Sequence, residues 1–398
     1  MKIVISKNDM PLYFFALSQI GLLFALYGAA LSRSQANSIG VWLIFISAVG
    51  IVYLGNKNYR RVTGEIFDVL VLLALALISM LASGWMSYQC FVSLFSFLEV
   101  PLFILFTKPF YSGKRIRISC LFAIASTVLY VYLYFSPRSH SFMSIYGERT
   151  INDLTLGFSN PNETGMHLIS TLIVLVSCIF IYKSKIYRMV LISCSLVLIY
   201  FITLTLSRAS ILVTGLFLVL LIPTAIRKSI PKWFQLLCFL SPIVALFFTA
   251  MFTGFFSTYT LFGEVLDTGR TMIYLTRIRG LTPIQYFIGN YKYLFQNSLN
   301  AYISVFITVG LPALIIYLKV LYHGIKNCRI FAKNTYNYIA FLGFIILFIQ
   351  GAMESANFVS GSFYAASFFS IYVIAIDNHE IRAKSLQTSE SNVVINHE

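Results

Sequence analysis

The stretch Tyr187–Ala225, YRMVLISCSLVLIYFITLTLSRASILVTGLFLVLLIPTA, decides the fold. Two apolar runs, Tyr187–Leu206 and Ala209–Ala225, are separated only by Ser207-Arg208. Each approaches the roughly 20 residues that carry a helix across a hydrocarbon core. Both are too long for barrel strands, so helices are required, because in lipid a backbone must satisfy its own hydrogen bonds. Two such runs with almost no loop form a helical hairpin that turns at the membrane surface. Arg208 then sits at or slightly below that boundary, where a cation is costly. It reads either as a functional group or as a side chain snorkelling to the interface.

The same pattern recurs along the chain. Of 398 residues, 58% are hydrophobic and 11% charged, against roughly 25% charged in soluble domains. Mean hydropathy is +0.81. Further runs are Pro11–Ala30, Ile39–Leu54, Ile66–Leu81, Tyr88–Phe106, Ile118–Tyr134, Thr164–Ile181, Trp233–Phe252, Leu299–Tyr317, Tyr336–Met353 and Val359–Ile376. The expected fold is an all-α polytopic membrane protein with about twelve transmembrane helices. Residues 1–398 form one integral membrane domain. Loops on the outer face cover 136–163 and 253–296, the larger lying between helices 9 and 10, and 377–398 is a cytoplasmic tail. The first run is long enough to be an uncleaved span rather than a signal peptide.

The net charge is +15. In a soluble protein it would point to nucleic acid; here short loops that retain Lys and Arg on the cytoplasmic side explain it, and no nucleic-acid partner is expected. With both termini cytoplasmic, the basic clusters at Lys57–Arg61, Lys108–Arg117, Lys183–Arg188, Arg227–Lys232 and Lys319–Lys333 all fall inside. The basic residues left outside are Arg33, Arg138, Arg149, Arg208, Arg270, Arg277, Arg279 and Lys292. All but one are arginine, whose planar donor fork suits phosphate; contact with lipid headgroups is the other reading. The cysteines show no CxxC and no His/Cys cluster, so neither a disulfide framework nor a metal site is expected.

The large loop interleaves Arg270, Arg277 and Arg279 with aromatic and aliphatic residues, a mixture suited to a water–lipid interface. The earlier loop carries Arg149 and leads through Asn160-Pro161-Asn162 into the sixth span. Asn162 is placed to cap that helix, whose N-terminal amides would face an anion, although a plain turn has the same composition. Glu163 and His167 are four apart and share one helix face. Glu99, near the middle of the fourth span, is the deepest carboxylate. Neutral hydrogen bonding, pairing with an arginine and proton relay all remain open for it.

Four patterns then fall in order: Asn160-Pro161-Asn162, Ser207-Arg208-Ala209, Gly269-Arg270 and Gln296-Asn297-Ser298. Over Leu156–Leu311 their order and spacing resemble the O-antigen polymerase and ligase superfamily. Arg149 and Gly165 also stand at a spacing described for the polymerases. Arg270–Gly280 and Arg279–Gly289 are each one residue short of the companion pattern. The ligases have a histidine where this chain has Gln296, and glutamine takes no proton at neutral pH. The resemblance therefore leans towards polymerases.

That resemblance implies a GT-C-like fold in a bacterial inner (plasma) membrane. It implies a membrane glycosyltransferase that polymerises oligosaccharide repeat units carried on undecaprenyl pyrophosphate into surface polysaccharide. A flippase and a chain-length regulator would be its partners, and no cofactor is needed. Arg208 and Arg270 would stabilise the departing pyrophosphate, with Arg149, Asn160, Asn162, Arg277, Arg279 and Asn297 in binding roles. The candidates for a general base on the outer face are Glu163 and His167, Glu264, Asp267 and Glu354. No G-x-x-x-x-G-K-[ST] or D-x-D pattern suggests nucleotide-fuelled chemistry. A ligase-type transferase, or a flippase for the lipid-linked oligosaccharide, are the competing readings.

Overall fold

The computed structural model describes residues 10–55, 63–84, 86–107, 113–137, 139, 153–158, 161–251, 260–261, 264–265, 270–295, 300–353 and 362–377. Its helices are α1 Met10–Ala30, α2 Ser34–Gly55, α3 Thr63–Ala82, α4 Tyr88–Phe106, α5 Gly113–Tyr134, α6 Pro161–Ile179, α7 Lys185–Leu204, α8 Arg208–Arg227 and α9 Lys232–Met251. Then come α10 Arg270–Arg279, α11 Gln285–Ile288, α12 Ala301–Val309, α13 Leu311–Phe331, α14 Thr335–Met353 and α15 Ser362–Ala375. A small antiparallel pair, Thr260–Leu261 with Glu264–Val265, precedes α10.

The fold is all-α and polytopic. Among the described residues nine helices, α1 to α8 and α14, are long and apolar enough to cross a membrane. The turn at Ser207 is as tight as its sequence implies, since α7 ends at Leu204 and α8 begins at Arg208. Leu206 makes that turn at φ +51°, a left-handed conformation that non-glycine residues seldom adopt. The Ser207 hydroxyl caps α8 by accepting from the Ser210 amide at 3.4 Å.

The expected span Leu299–Tyr317 is corrected. The chain breaks at Gly310 (φ +96°) into the short α12 and the 21-residue α13. The break is imposed from outside the run. A β-carbon on Gly310 would come within 2.5 Å of the Phe287 carbonyl carbon, and one on Gly289 (φ +74°) within 2.5 Å of the Val309 nitrogen. The backbones of the 287–289 turn and the 308–310 corner are thus in direct contact, which no side chain permits. Lys319, Lys326 and Arg329, expected in a loop, lie on α13 instead. Lys319 Nζ contacts the Asp68 carboxylate of α3 at 2.8 Å, and His323 approaches Glu65 one turn further on.

The packing centres on α14. It touches α6, α8, α9 and α15 along its length, and with α6 and α4 it is among the most enclosed of the long helices. At its start Asn337 fixes the chain. Its amide donates to the carbonyls of Ile374 (2.7 Å) and Asp377 (2.9 Å), while its oxygen accepts from Asn334. Contact between helices in lipid depends on close fit rather than on expelling water. The α1–α2 hairpin fits that rule, with Gly40 against the Ala25 backbone and Gly28 against Asn37.

Candidate functional site

The first turns of α6 and α8 meet at one end of the bundle. Gly165 packs so closely on Ser210 that an added β-carbon would overlap the Ser210 hydroxyl and lie 2.6 Å from Ser210 Cβ. Ser207 Oγ donates to Ser210 Oγ at 2.9 Å within the same contact. Glu163 sits two residues before Gly165 and Arg208 one residue after Ser207. The seam therefore brings a partly buried carboxylate and an exposed guanidinium to the same end. Pro161 is the first residue of α6, as suits a residue without an N–H. Asn162 consequently lies inside the first turn and does not cap it, which corrects the sequence expectation. Residues 161–163, assigned to the outer loop, are also helical.

His167, one turn below Glu163, is 1% exposed. Its ring stacks on Tyr364 of α15 (centroids 4.4 Å, planes 8° apart) and lies 4.8 Å from the ring of Phe158. Phe158 ends a strap, residues 153–158, that is pinned from several sides. The Leu154 amide donates to the Leu204 carbonyl at 3.0 Å, and the Thr155 amide to Ser139 at 2.8 Å. Thr164 Oγ1 donates to the Thr155 carbonyl at 2.6 Å. The strap thus joins the end of α7 to the first turn of α6 and closes His167 from solvent. Enclosed between two rings, His167 is built to hold a position; Glu163 is the more accessible of the expected pair.

Gln350 on α14 was not singled out from the sequence. It is fully buried, and neither amide atom has a hydrogen-bond partner among the described residues. An unsatisfied buried amide costs about 1–3 kcal/mol. Gly343, one heptad earlier on α14, touches Ile173 of α6. Helix periodicity carries Gln350 to the same side, near the level of Met166 on the antiparallel α6. The sequence signal was present as a polar residue inside an apolar run.

The large loop forms a second group of candidate residues. Arg270 opens α10, and Arg277 and Arg279 close it. Residues two apart on a helix do not share a face, so Arg277 and Arg279 lie on different sides of α10. Ile278 and Leu281 seat this segment on Ile303 and Ile307 of α12. Asn300, also missed from the sequence, anchors the assembly. Its Oδ1 accepts from the amides of Tyr302 (3.0 Å) and Ile303 (3.2 Å), capping α12. Its Nδ2 donates to the carbonyls of Pro242 (3.0 Å) and Ala352 (3.1 Å). Proline in mid-helix frees a carbonyl one turn back. Here Ser241 Oγ takes the Cys238 carbonyl, and Tyr302 donates to Phe239.

Glu163, His167 and Arg208 therefore converge on one end of the α6–α8 seam. Arg270, Arg277 and Arg279 share α10. The C-terminal end of α14 links the two groups, with Gln350 on the side that meets α6 and the Ala352 carbonyl holding Asn300 of the second. Arg149, Asn160 and Asn297, and with them Asp267 and Glu354, lie outside the described residues. A scan against protein-family models found no match, and a search of curated proteins found none of significant similarity.

Proposed function

We propose that this protein is a membrane glycosyltransferase that polymerises oligosaccharide repeat units carried on undecaprenyl pyrophosphate, working on the outer face of a bacterial inner membrane. The carrying observation is the seam itself. A tight helix contact at Gly165 and Ser210 brings Glu163 and Arg208 to the same end of the bundle. An acid and a guanidinium carried to one end of a helix seam suit transfer from a pyrophosphate donor.

In the proposed step an acceptor hydroxyl attacks the anomeric carbon of the donor sugar. The bond from that carbon to the pyrophosphate oxygen breaks, and the lipid pyrophosphate leaves with the electron pair. Glu163 takes the hydroxyl proton. Arg208, with Arg270 and Arg277 of α10, meets the negative charge that develops on the leaving group. His167 positions the first turn of α6. Arg149, Asn160, Asn162, Arg279 and Asn297 complete the proposed surface.

The orientation is part of the proposal. Twelve crossings are formed by α1 to α9, α13, α14 and α15, with α10 to α12 in the large outer loop. Both termini then lie on the cytoplasmic side with most of the basic residues. The test uses purified protein in nanodiscs with a synthetic undecaprenyl-pyrophosphate repeat unit. A ladder of products that disappears in Arg270→Ala is the expected result. A second reading, transport of the lipid-linked oligosaccharide, draws on the fully buried Glu99 in α4. Cation-driven movement of the substrate across vesicles without any ladder is the result that would favour it.

A further inference from the structure

At the opposite end of the bundle, α9 and α13 enclose a half-open crevice of about 190 Å³. Lys232 and Arg329 stand at its end. Leu236, Phe239 and Tyr322 line the part nearer mid-helix. Seven residues separate Lys232 from Phe239, about 10 Å along a helix axis. The crevice is thus cationic at one end and apolar at the other. Leu236 and Tyr322 are about half exposed there, on a surface turned away from the bundle.

The cationic end is organised. Gln235 is 3% exposed, and its Nε2 donates to the Ile230 carbonyl at 2.7 Å. Its Oε1 then accepts from both Nε (3.1 Å) and Nη2 (2.7 Å) of Arg329. A buried amide oriented by backbone therefore fixes the plane of the guanidinium. Among the described residues neither Arg329 nor Lys232 is paired with a carboxylate; the nearby ion pairs use Lys319 and His323 instead. Two cations left for an outside anion, above an apolar channel, describe a receptor for an amphiphile. Basic pockets at helix ends are suited to anionic lipid headgroups.

We infer that this crevice binds one anionic phospholipid of the bilayer, its phosphate held between Arg329 and Lys232 and an acyl chain lying along Leu236, Phe239 and Tyr322. The arginine fork supplies two parallel donors to the phosphate, and the lysine supplies charge. A free phosphate would leave the apolar channel unused.

The test is native mass spectrometry of the detergent-purified protein with added phosphatidylglycerol or phosphatidylcholine of matched chains. The expected result is at least tenfold greater retention of phosphatidylglycerol. Lys232→Gln, at an exposed position, and Arg329→Gln should each lower that retention to the phosphatidylcholine level. Arg329→Lys should fall between, since it keeps charge and loses the fork. Equal retention of the two lipids, or undiminished phosphatidylglycerol retention in Lys232→Gln, would overturn the inference. Displacement by millimolar glycerol phosphate would overturn it too, by showing a site for the free anion.

Discussion

Gly165 in the first turn of α6 lies directly on the Ser210 hydroxyl in the first turn of α8. There is no room for even a methyl group between them, so this contact limits how closely the helix ends that carry Glu163 and Arg208 approach. Gly165→Ala should therefore wedge the seam apart, at a cost of about 1–3 kcal/mol from overpacking. Ser210→Gly in the same chain removes the atoms that collide and should recover part of the loss. Thermal midpoints of the two single variants and the double variant in detergent check this. Additive effects would mean that the contact does not limit the seam.

Asn300 satisfies four backbone groups at once. Asn300→Ala should leave the Pro242 and Ala352 carbonyls without their donor and α12 without its cap, costing about 2–4 kcal/mol. Asn300→Asp keeps the cap but sets a buried carboxylate oxygen against both carbonyls, so it should cost at least as much as the alanine variant. Hydrogen exchange at the Tyr302 and Ile303 amides separates these cases. Both amides should exchange faster in the alanine variant, and close to the native rate in the aspartate variant.

Tyr291 donates to the Cys90 carbonyl at 3.2 Å, tying the loop to the start of α4. Burial pushes its phenol well above its ordinary value near 10. Because the folded form favours the protonated phenol, this stability is fully present below the unfolded pKa and is lost as pH rises past it. The native protein should lose stability above about pH 10 more steeply than Tyr291→Phe, and the two should run parallel from pH 6 to 9. Stability curves measured over pH 6–11 provide the check.

Lys319 and Asp68 hold α13 to α3 at 2.8 Å. The lysine side chain is 66% exposed and the aspartate 11%, so the pair itself should contribute at most about 1 kcal/mol. Lys319→Gln should nevertheless cost more than the double variant Lys319→Gln/Asp68→Asn, because it leaves the more buried charge alone. A double-mutant cycle on thermal stability tests the sign of that coupling.

The helices and the Ser207 turn were legible because an apolar run of span length leaves the backbone little alternative in lipid. The break at Gly310 was missed, although Gly310-Leu311-Pro312 within Leu299–Tyr317 reads as a helix stop followed by a start, with Pro312 in the first turn of α13. The shape of the corner comes from contact with the Phe287–Gly289 backbone, which sequence spacing does not reveal. Glu163 and Arg208 were both identified from the sequence, but their convergence depends on the Gly165–Ser210 fit. Gln350 and Asn300 carried usable signals, a polar residue within a span and an asparagine before an apolar run. The weight of Asn300 comes from partners far along the chain, and that of Gln350 from having none among the described residues.

In the proposed reaction Glu163 and Arg208 act on one pyrophosphate-linked substrate. The most direct test is the nanodisc polymerisation reaction run with Glu163→Gln and Arg208→Ala beside the native chain, with thermal stability measured on the same preparations. Product formation should fall by about 10²-fold or more in each variant while both stay folded. Folded variants that build ladders at the native rate would contradict it.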